Sequence, residues 1–202
     1  MKLYYSPGAC SLASHIVLEE SGLPYVTVLA STKTHKLPDG TDFYTINPLG
    51  YVPVLELADG NRLREGPAIL QYIADQVPQK HLAPAHNTLA HYHLQEWLTF
   101  ISTELHKNFG PLFNPATPEA FKVISKDRLL GRLKWIDGQL QDKHYLMGEH
   151  FTVADAYLFT VTNWAAPLGL DISALAHLNA LRERAAARPA VQAVMKAEGL
   201  LK

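Results

Sequence analysis

Asn47-Pro48-Leu49-Gly50-Tyr51-Val52-Pro53-Val54-Leu55-Glu56-Leu57, followed by Asp59-Gly60-Asn61 and Arg62-Leu63, reads as a hairpin entered through a proline. Proline cannot donate to a strand ladder, so Pro53 belongs at a strand start or edge. The Asp-Gly-Asn turn closes the pair. Upstream, Leu3-Tyr4-Tyr5 forms a short buried strand that Pro7-Gly8 breaks. From Cys10 to Glu20 the apolar positions Leu12/Ala13 and Ile16/Val17 recur at helical spacing, and Gly22 suits the position just past a helix end. Tyr25 to Leu29 is a β-branched run, hence a second strand. A polar stretch with the turn Pro38-Asp39-Gly40 precedes the hairpin. Downstream, Gly66-Pro67 opens a helix through Ile69, Ile73 and Val77, proline being favoured in a first turn. The expected order over residues 1–80 is β-α-β-α-β-β-α.

Residues 81–87, with Pro84 and His86-Asn87, carry little apolar content and form the expected linker. From 88 to 202 the periodicity is helical. Leu94, Trp97/Leu98, Ile101 and Leu105 make one apolar stripe, and Leu129/Leu130, Leu133, Ile136 and Leu140 another. Phe151-Thr152-Val153-Ala154-Asp155 reads as a capping box, with Asp155 in the place of the usual Glu. The fold class is thus a small α/β domain followed by an all-α domain.

Composition narrows the function. The 202 residues carry 18 Lys+Arg against 19 Asp+Glu, a net charge of −1 that gives no electrostatic reason to expect nucleic acid or an anionic membrane as partner. No apolar run approaches the roughly 18 residues needed to span a bilayer. Ser6-Pro7-Gly8 stops the first apolar run at once, so neither a secretory signal nor a lipoprotein leader is expected. One Cys excludes an intramolecular disulfide framework and a multi-thiolate zinc site. His91 and His93, two apart on a helix, point to opposite sides, which argues against a metal pair. The expectation is a soluble, cytoplasmic protein without a metal.

Three stretches carry chemistry. Cys10 begins a helix, where unpaired amides and the helix dipole favour an anion, so its thiol is expected to ionise more readily than a free one. The alternative is an inert buried thiol acting as a small hydrophobe. A cis Val52–Pro53 bond would turn the Val52 backbone outward to pair with an extended peptide-like ligand; a trans bond at an ordinary edge strand is equally allowed. Glu65-Gly66-Pro67-Ala68 offers free amides for a carboxylate and an acid for an ammonium group, matching the two charges of an α-amino acid; the alternative is an acid that only compensates the helix dipole.

Together these stretches resemble the thioredoxin-like, glutathione-binding domain of the cytosolic glutathione transferases. The opening Met1-Lys2-Leu3-Tyr4-Tyr5-Ser6-Pro7-Gly8-Ala9-Cys10-Ser11 is similar to the bacterial beta class, as are Asn47-Pro48-x-Gly50-x-Val52-Pro53-Val54-Leu55, Glu65-Gly66 and Glu104-Leu105-His106-Lys107. The resemblance spans the chain, including the linker, the helical domain and the capping box. It implies a thioredoxin-like domain at 1–80, a linker at 81–87 and an all-helical domain at 88–202. It also implies glutathione as co-substrate, Cys10 and His106 as catalytic residues, and a cis Pro53 with Val52 pairing through its backbone with the cysteinyl part. Glu65 and Gly66 would hold the γ-glutamyl end, with Tyr51 flanking Val52. Cys10 would hydrogen-bond the glutathione sulfur or form a mixed disulfide with it. The helical domain would add Thr99, Thr103, Glu104 and His106. Thr99, Thr103 and His106 stand at i, i+4 and i+7, one face of an α-helix.

Two positions depart from the class. His35 stands where Lys often contacts the glycyl carboxylate, with Lys36 adjacent, and Thr99 where Asn is common. The implied reaction is conjugation of the glutathione thiolate to hydrophobic electrophiles, by a homodimer, in detoxification. Pro7, Ala9, Phe109, Phe113 and Trp164 are expected to line the electrophile pocket. Glutathione-dependent thiol–disulfide exchange or peroxide reduction, and non-catalytic ligand binding, are the alternative functions.

Overall fold

The computed structural model describes residues 1–201 and divides into two compact units: Met1–Leu82 joined by the segment from Arg188 onward, and Ala83–Ala187. The final helix therefore groups with the first unit, although the chain reads as one helical run from 88 to 202. Its anchor, described below, is a long-range polar contact that periodicity does not reveal.

In the first unit, β1 (Lys2–Tyr5) pairs in parallel with β2 (Val26–Leu29) and antiparallel with β3 (Val54–Glu56), which pairs antiparallel with β4 (Arg62–Leu63). The order β2-β1-β3-β4 is the sheet of a thioredoxin-like domain. The parallel β1/β2 pair requires a crossover, which α1 (Ser11–Ser21) supplies, and α2 (Gly66–Asp75) follows the hairpin. Gly22 ends α1 in the left-handed region at φ 70°, as its position predicts. The helix expected between the second and third strands is only a 3₁₀ turn, Phe43–Thr45, capped by the Asp42 side chain on the Tyr44 amide. This stretch is too polar and too turn-rich to continue: only Phe43 of the three is buried.

Tyr4, Ala30, Phe43, Ile46, Val52 and Val54 form one apolar cluster beneath the sheet end. Val52 is thus held by its side chain, which fixes where its backbone lies. The tail helix α8 (Pro189–Ala197) packs on α1. Behind it, Glu198 Oε1 meets His15 Nδ1 at 2.8 Å and Glu198 Oε2 accepts from the Gly8 amide at 2.9 Å, both side chains being almost fully buried. Arg188 Nη2 reaches Glu20 Oε2 at 3.0 Å on the flank.

The second unit is helical: α3 (Leu89–Phe100), a π-helical stretch at Ile101–His106, α4 (Lys107–Phe113), α5 (Glu119–Gln139), α6 (Val153–Thr162) and α7 (Ala176–Ala186). The stripe positions Leu94, Leu98, Ile101 and Leu105 are buried, as are Leu129, Leu133 and Ile136. Every residue of α6 is buried, so its exposed-amide problem must be solved internally. Asp155 does this by accepting from the Thr152 amide (2.8 Å), the Thr152 hydroxyl (2.9 Å) and the Leu146 amide (2.8 Å). Burial pushes its carboxyl up to about 6, against the pull of those donors.

Removing Asp155 strands three buried donors at once. Asp155→Ala is expected to cost about 2–4 kcal/mol of unfolding free energy, read from urea denaturation at neutral pH. A loss below about 0.5 kcal/mol would show that the box is dispensable.

Candidate active site

Cys10 stands at the N-cap of α1, and its Sγ–H donates to the Val52 carbonyl at 3.1 Å. The Val52–Pro53 peptide is cis. Asn47, almost fully buried, organises the approach: its side-chain amide donates to the Tyr51 carbonyl at 2.7 Å, and its carbonyl accepts from the Gly50 amide at 2.8 Å. Tyr51 itself projects into solvent, 69% exposed.

Burial opposes the dipole argument for a readily ionised Cys10. Burial pushes the thiol up to about 12; its own amide and that of Ser11 pull down without prevailing, and the Glu65 charge adds to the rise. Desolvating a thiolate costs more than two partial charges return. At neutral pH the group is therefore a neutral hydrogen-bond donor. The Glu65 contribution also places that carboxylate near Cys10. Glu65 caps α2 with φ 67°, a conformation that side chains other than glycine adopt at a cost, and Gly66 and Pro67 follow at the helix start. Backbone strain of this kind gathers at ligand sites. Cys10, Val52, Pro53, Glu65 and Gly66 thus all lie within the first unit.

His35 reaches the same loop from the other side. Its ring packs on Tyr44 at 4.7 Å, and its Nδ1 is buried without a hydrogen-bond partner. A Cβ on Gly50 would lie 2.7 Å from Tyr44 Cε1 and 2.9 Å from His35 Nδ1, so only glycine fits there, at φ 69°. Lys36 pairs with Asp42 through an isolated bridge and leaves its side chain exposed.

In the second unit the α-helical phase expected for Thr99, Thr103 and His106 does not hold. Thr103 Oγ1 donates to the Thr99 carbonyl at 3.0 Å, so those two stay stacked. The wider π turns between Ile101 and His106 then shift His106 off that register. Glu104 is committed elsewhere, its Oε2 accepting from Arg132 Nε at 2.7 Å. His106 sits among aromatic rings, with Trp164 at 5.0 Å, and Trp164 contacts Phe109 at 5.6 Å and Phe113 at 5.5 Å. Its Nδ1 lies 2.6 Å from the Tyr157 hydroxyl, leaving Nε2 as the nitrogen for chemistry. Burial, with the neighbouring Lys107 cation, lowers its pKa to about 4, so the ring is neutral at physiological pH.

Sequence reasoning missed Tyr157, Asn47 as a loop anchor, and the Glu198–Gly8 contact. Asn47 lay inside a recognised motif and was the one signal available. No group of three His, Cys, Asp or Glu side chains suited to a metal occurs among the described residues, nor a helix long and apolar enough to cross a membrane.

A family model for the glutathione S-transferase N-terminal domain matches residues 8–76, and one for the C-terminal domain matches residues 100–189. The chain belongs to the glutathione S-transferase family. It is 48% identical to the glutathione S-transferase GstA of Escherichia coli O157:H7 over 200 residues, covering 99% of this chain and 100% of that one. Among solved structures, a bacterial beta class glutathione S-transferase of Sphingomonas chungbukensis shares 46% identity with a TM-score of 0.96, each chain covered fully (100%). A sphingomonad glutathione S-transferase complexed with glutathione shares 45% identity, also at 0.96 and 100% coverage of both. These relatives place the chain in the bacterial beta class.

Two measurements test the electrostatics. Alkylation of Cys10 in the unliganded transferase is expected to be slow at pH 7.5 and to accelerate only beyond about pH 10. An inflection between pH 6 and 8 would show that the dipole wins after all. For His106, the depressed pKa means that the unfolded chain takes up a proton, from about pH 6.5 downward, that the folded chain refuses until about pH 4. Stability contributed by the neutral ring is therefore complete above about pH 6.5 and lost as pH falls toward 4. Unfolding free energy should fall more steeply over that window in wild type than in His106→Asn.

Proposed function

We propose that this chain catalyses attack of the glutathione thiolate on small hydrophobic electrophiles. The observation that carries it is the 3.1 Å contact of the Cys10 thiol with the Val52 backbone, beside the Glu65-Gly66 helix start, in a member of this family. A relative solved with glutathione bound supports glutathione as the co-substrate.

In this reading the cysteinyl part of glutathione pairs with the Val52 backbone between Tyr51 and Pro53. Its γ-glutamyl end takes Glu65 and the Gly66 amide. His35 or Lys36 meets the glycyl carboxylate. The neutral Cys10 thiol exchanges its bond to the Val52 carbonyl for one to the glutathione sulfur, donating to a thiolate rather than competing with it. A donor aimed at a forming anion in a desolvated site is worth more than the same donor in water. The neutral His106 Nε2 serves as the second polar group, with Tyr157 holding the ring. Thr99, Thr103 and Glu104 contribute from the helical unit. The apolar electrophile lies against Phe113 and Trp164; Phe109, expected to line the pocket, is fully buried and backs Trp164 instead. A cytoplasmic homodimer is part of the same proposal, checked by sedimentation.

A mixed disulfide forms at alkaline pH, where the Cys10 thiol gives up its proton to solvent and the thiolate attacks one sulfur of oxidised glutathione, releasing the other half as a thiolate. The test is intact-protein mass after incubation with oxidised glutathione, alongside turnover of a halogenated nitroaromatic. Wild type is expected to gain one glutathionyl group. Cys10→Ala is expected to gain none and to lose about a hundredfold in kcat/KM for conjugation. Full conjugation and exchange in that variant would remove Cys10 from the mechanism, and failure of the wild type to bind immobilised glutathione would sink the enzyme reading.

A further inference from the structure

Arg182, on α7, differs from the other arginines that meet acids in this chain. Arg62 pairs with Glu56, Arg132 with Glu104 and Arg188 with Glu20. Arg182 is half-buried and meets only neutral amide oxygens: Asn179 Oδ1 at 3.0 Å and Asn163 Oδ1 at 3.3 Å. No carboxylate pairs with it among the described residues. Its Nε–H is buried with no acceptor, and so is the side-chain amide nitrogen of Asn163. Those two donors face inward, so a ligand can meet only the outer edge of the fork; a half-buried cation without a carboxylate partner is costly unless an anion reaches that edge. Burial also pulls the guanidinium below its ordinary range.

This guanidinium lines a cleft of about 480 Å³ that lies wholly within the second unit. The segment after the 3₁₀ turn Ala166–Leu168 folds over α7 to form it, and Ala166, Leu170 and Ile172 make its apolar wall. The volume suits a small molecule. Arg182 is the only cation among its lining residues, and none of them belongs to the His106–Trp164 cluster. Asp171, on the rim, accepts from the Ser173 amide at 2.9 Å, which holds its carboxyl below the usual range and keeps it charged at neutral pH. That fixed negative charge disfavours dianions such as phosphate esters. A single guanidinium, an apolar wall and an acidic rim select a monoanion on a compact apolar body.

We propose that this cleft binds small apolar monocarboxylates, with the outer edge of the Arg182 fork taking the carboxylate and Asn179 orienting it. A guanidinium matches a carboxylate in two parallel hydrogen bonds, which a neutral amide cannot reproduce. The site stands apart from the glutathione reading and survives its failure.

Benzoate is the probe, with benzamide as its neutral isostere, titrated into the full-length protein by calorimetry and by nitrogen-15 NMR of side-chain N–H groups. Benzoate is expected to bind in the millimolar range and to shift the Arg182 Nε–H and Asn179 amide signals. Benzamide is expected to bind at least about tenfold more weakly, as is benzoate to Arg182→Gln. Because Arg182→Gln also removes bonds to Asn163 and Asn179, Ala166→Trp provides the independent arm: it fills the cleft from an exposed position and leaves the arginine network alone. Loss of benzoate binding in Ala166→Trp supports the assignment. Equal binding of benzamide, unaltered binding in Ala166→Trp, benzoate shifts confined to other residues, or no binding at all would overturn it.

Discussion

The hydrogen bond from the Cys10 thiol to the Val52 carbonyl spans 42 residues and closes the first unit's functional end. It exists because both partners are pinned from behind. Val52 is held by its side chain in the apolar cluster with Tyr4, Phe43, Ile46 and Val54, and Asn47 sets the loop that delivers it. Cys10 is held by α1 and by the loop Ser6–Ala9, whose Gly8 amide donates to Glu198 on the tail. Loosening either support would admit water to the thiol. The thiol would then revert toward an ordinary cysteine, because its high pKa has burial as its largest cause.

The buried polar contact behind that loop is costly on its own terms. Removing a carboxylate and an imidazole from water is repaid only when the remaining lone pairs are satisfied. Glu198 meets this by using one oxygen for His15 and the other for Gly8, while the His15 ring is edged by Tyr5 at 5.5 Å and Tyr25 at 5.6 Å. The arrangement explains why the tail belongs with the first unit: Glu198 ties it to both the Gly8 amide and the buried His15 ring. Leu200 completes the contact, lying 3.4 Å from where a Gly8 Cβ would stand.

What the sequence reveals here is what lies within one turn of chain. The Thr152–Asp155 box joins residues three apart, and Gly22, Pro67 and the Asp59-Gly60-Asn61 turn each act on their own backbone, so all are readable from local pattern. The His106–Tyr157 bond joins residues 51 apart and the Glu198–His15 bond residues 183 apart, and no spacing rule connects them. The π stretch is hidden for a different reason: its apolar positions Ile101 and Leu105 satisfy an α-helical stripe equally well, and only packing decides the wider turn. The sign of the Cys10 shift falls between these cases. The helix start is local and legible, whereas the desolvation that outweighs it comes from elements distant in sequence.

Cys10 and His106 share an electrostatic character that bears on the proposed chemistry. Both are neutral at physiological pH, one because burial raises its pKa and the other because burial lowers it. A charged partner would bind the glutathione thiolate tightly in the ground state, which lowers the barrier to its formation but also its nucleophilicity. Neutral donors favour the thiolate over the thiol without an ion pair to break when the sulfur attacks. Glu65, whose charge raises the Cys10 pKa further, would oppose any anion at that sulfur until the ammonium of the γ-glutamyl group neutralises it. In the proposed binding mode, the amino-acid end of glutathione would do more than anchor the molecule: its ammonium would offset the Glu65 charge that works against ionising the thiol.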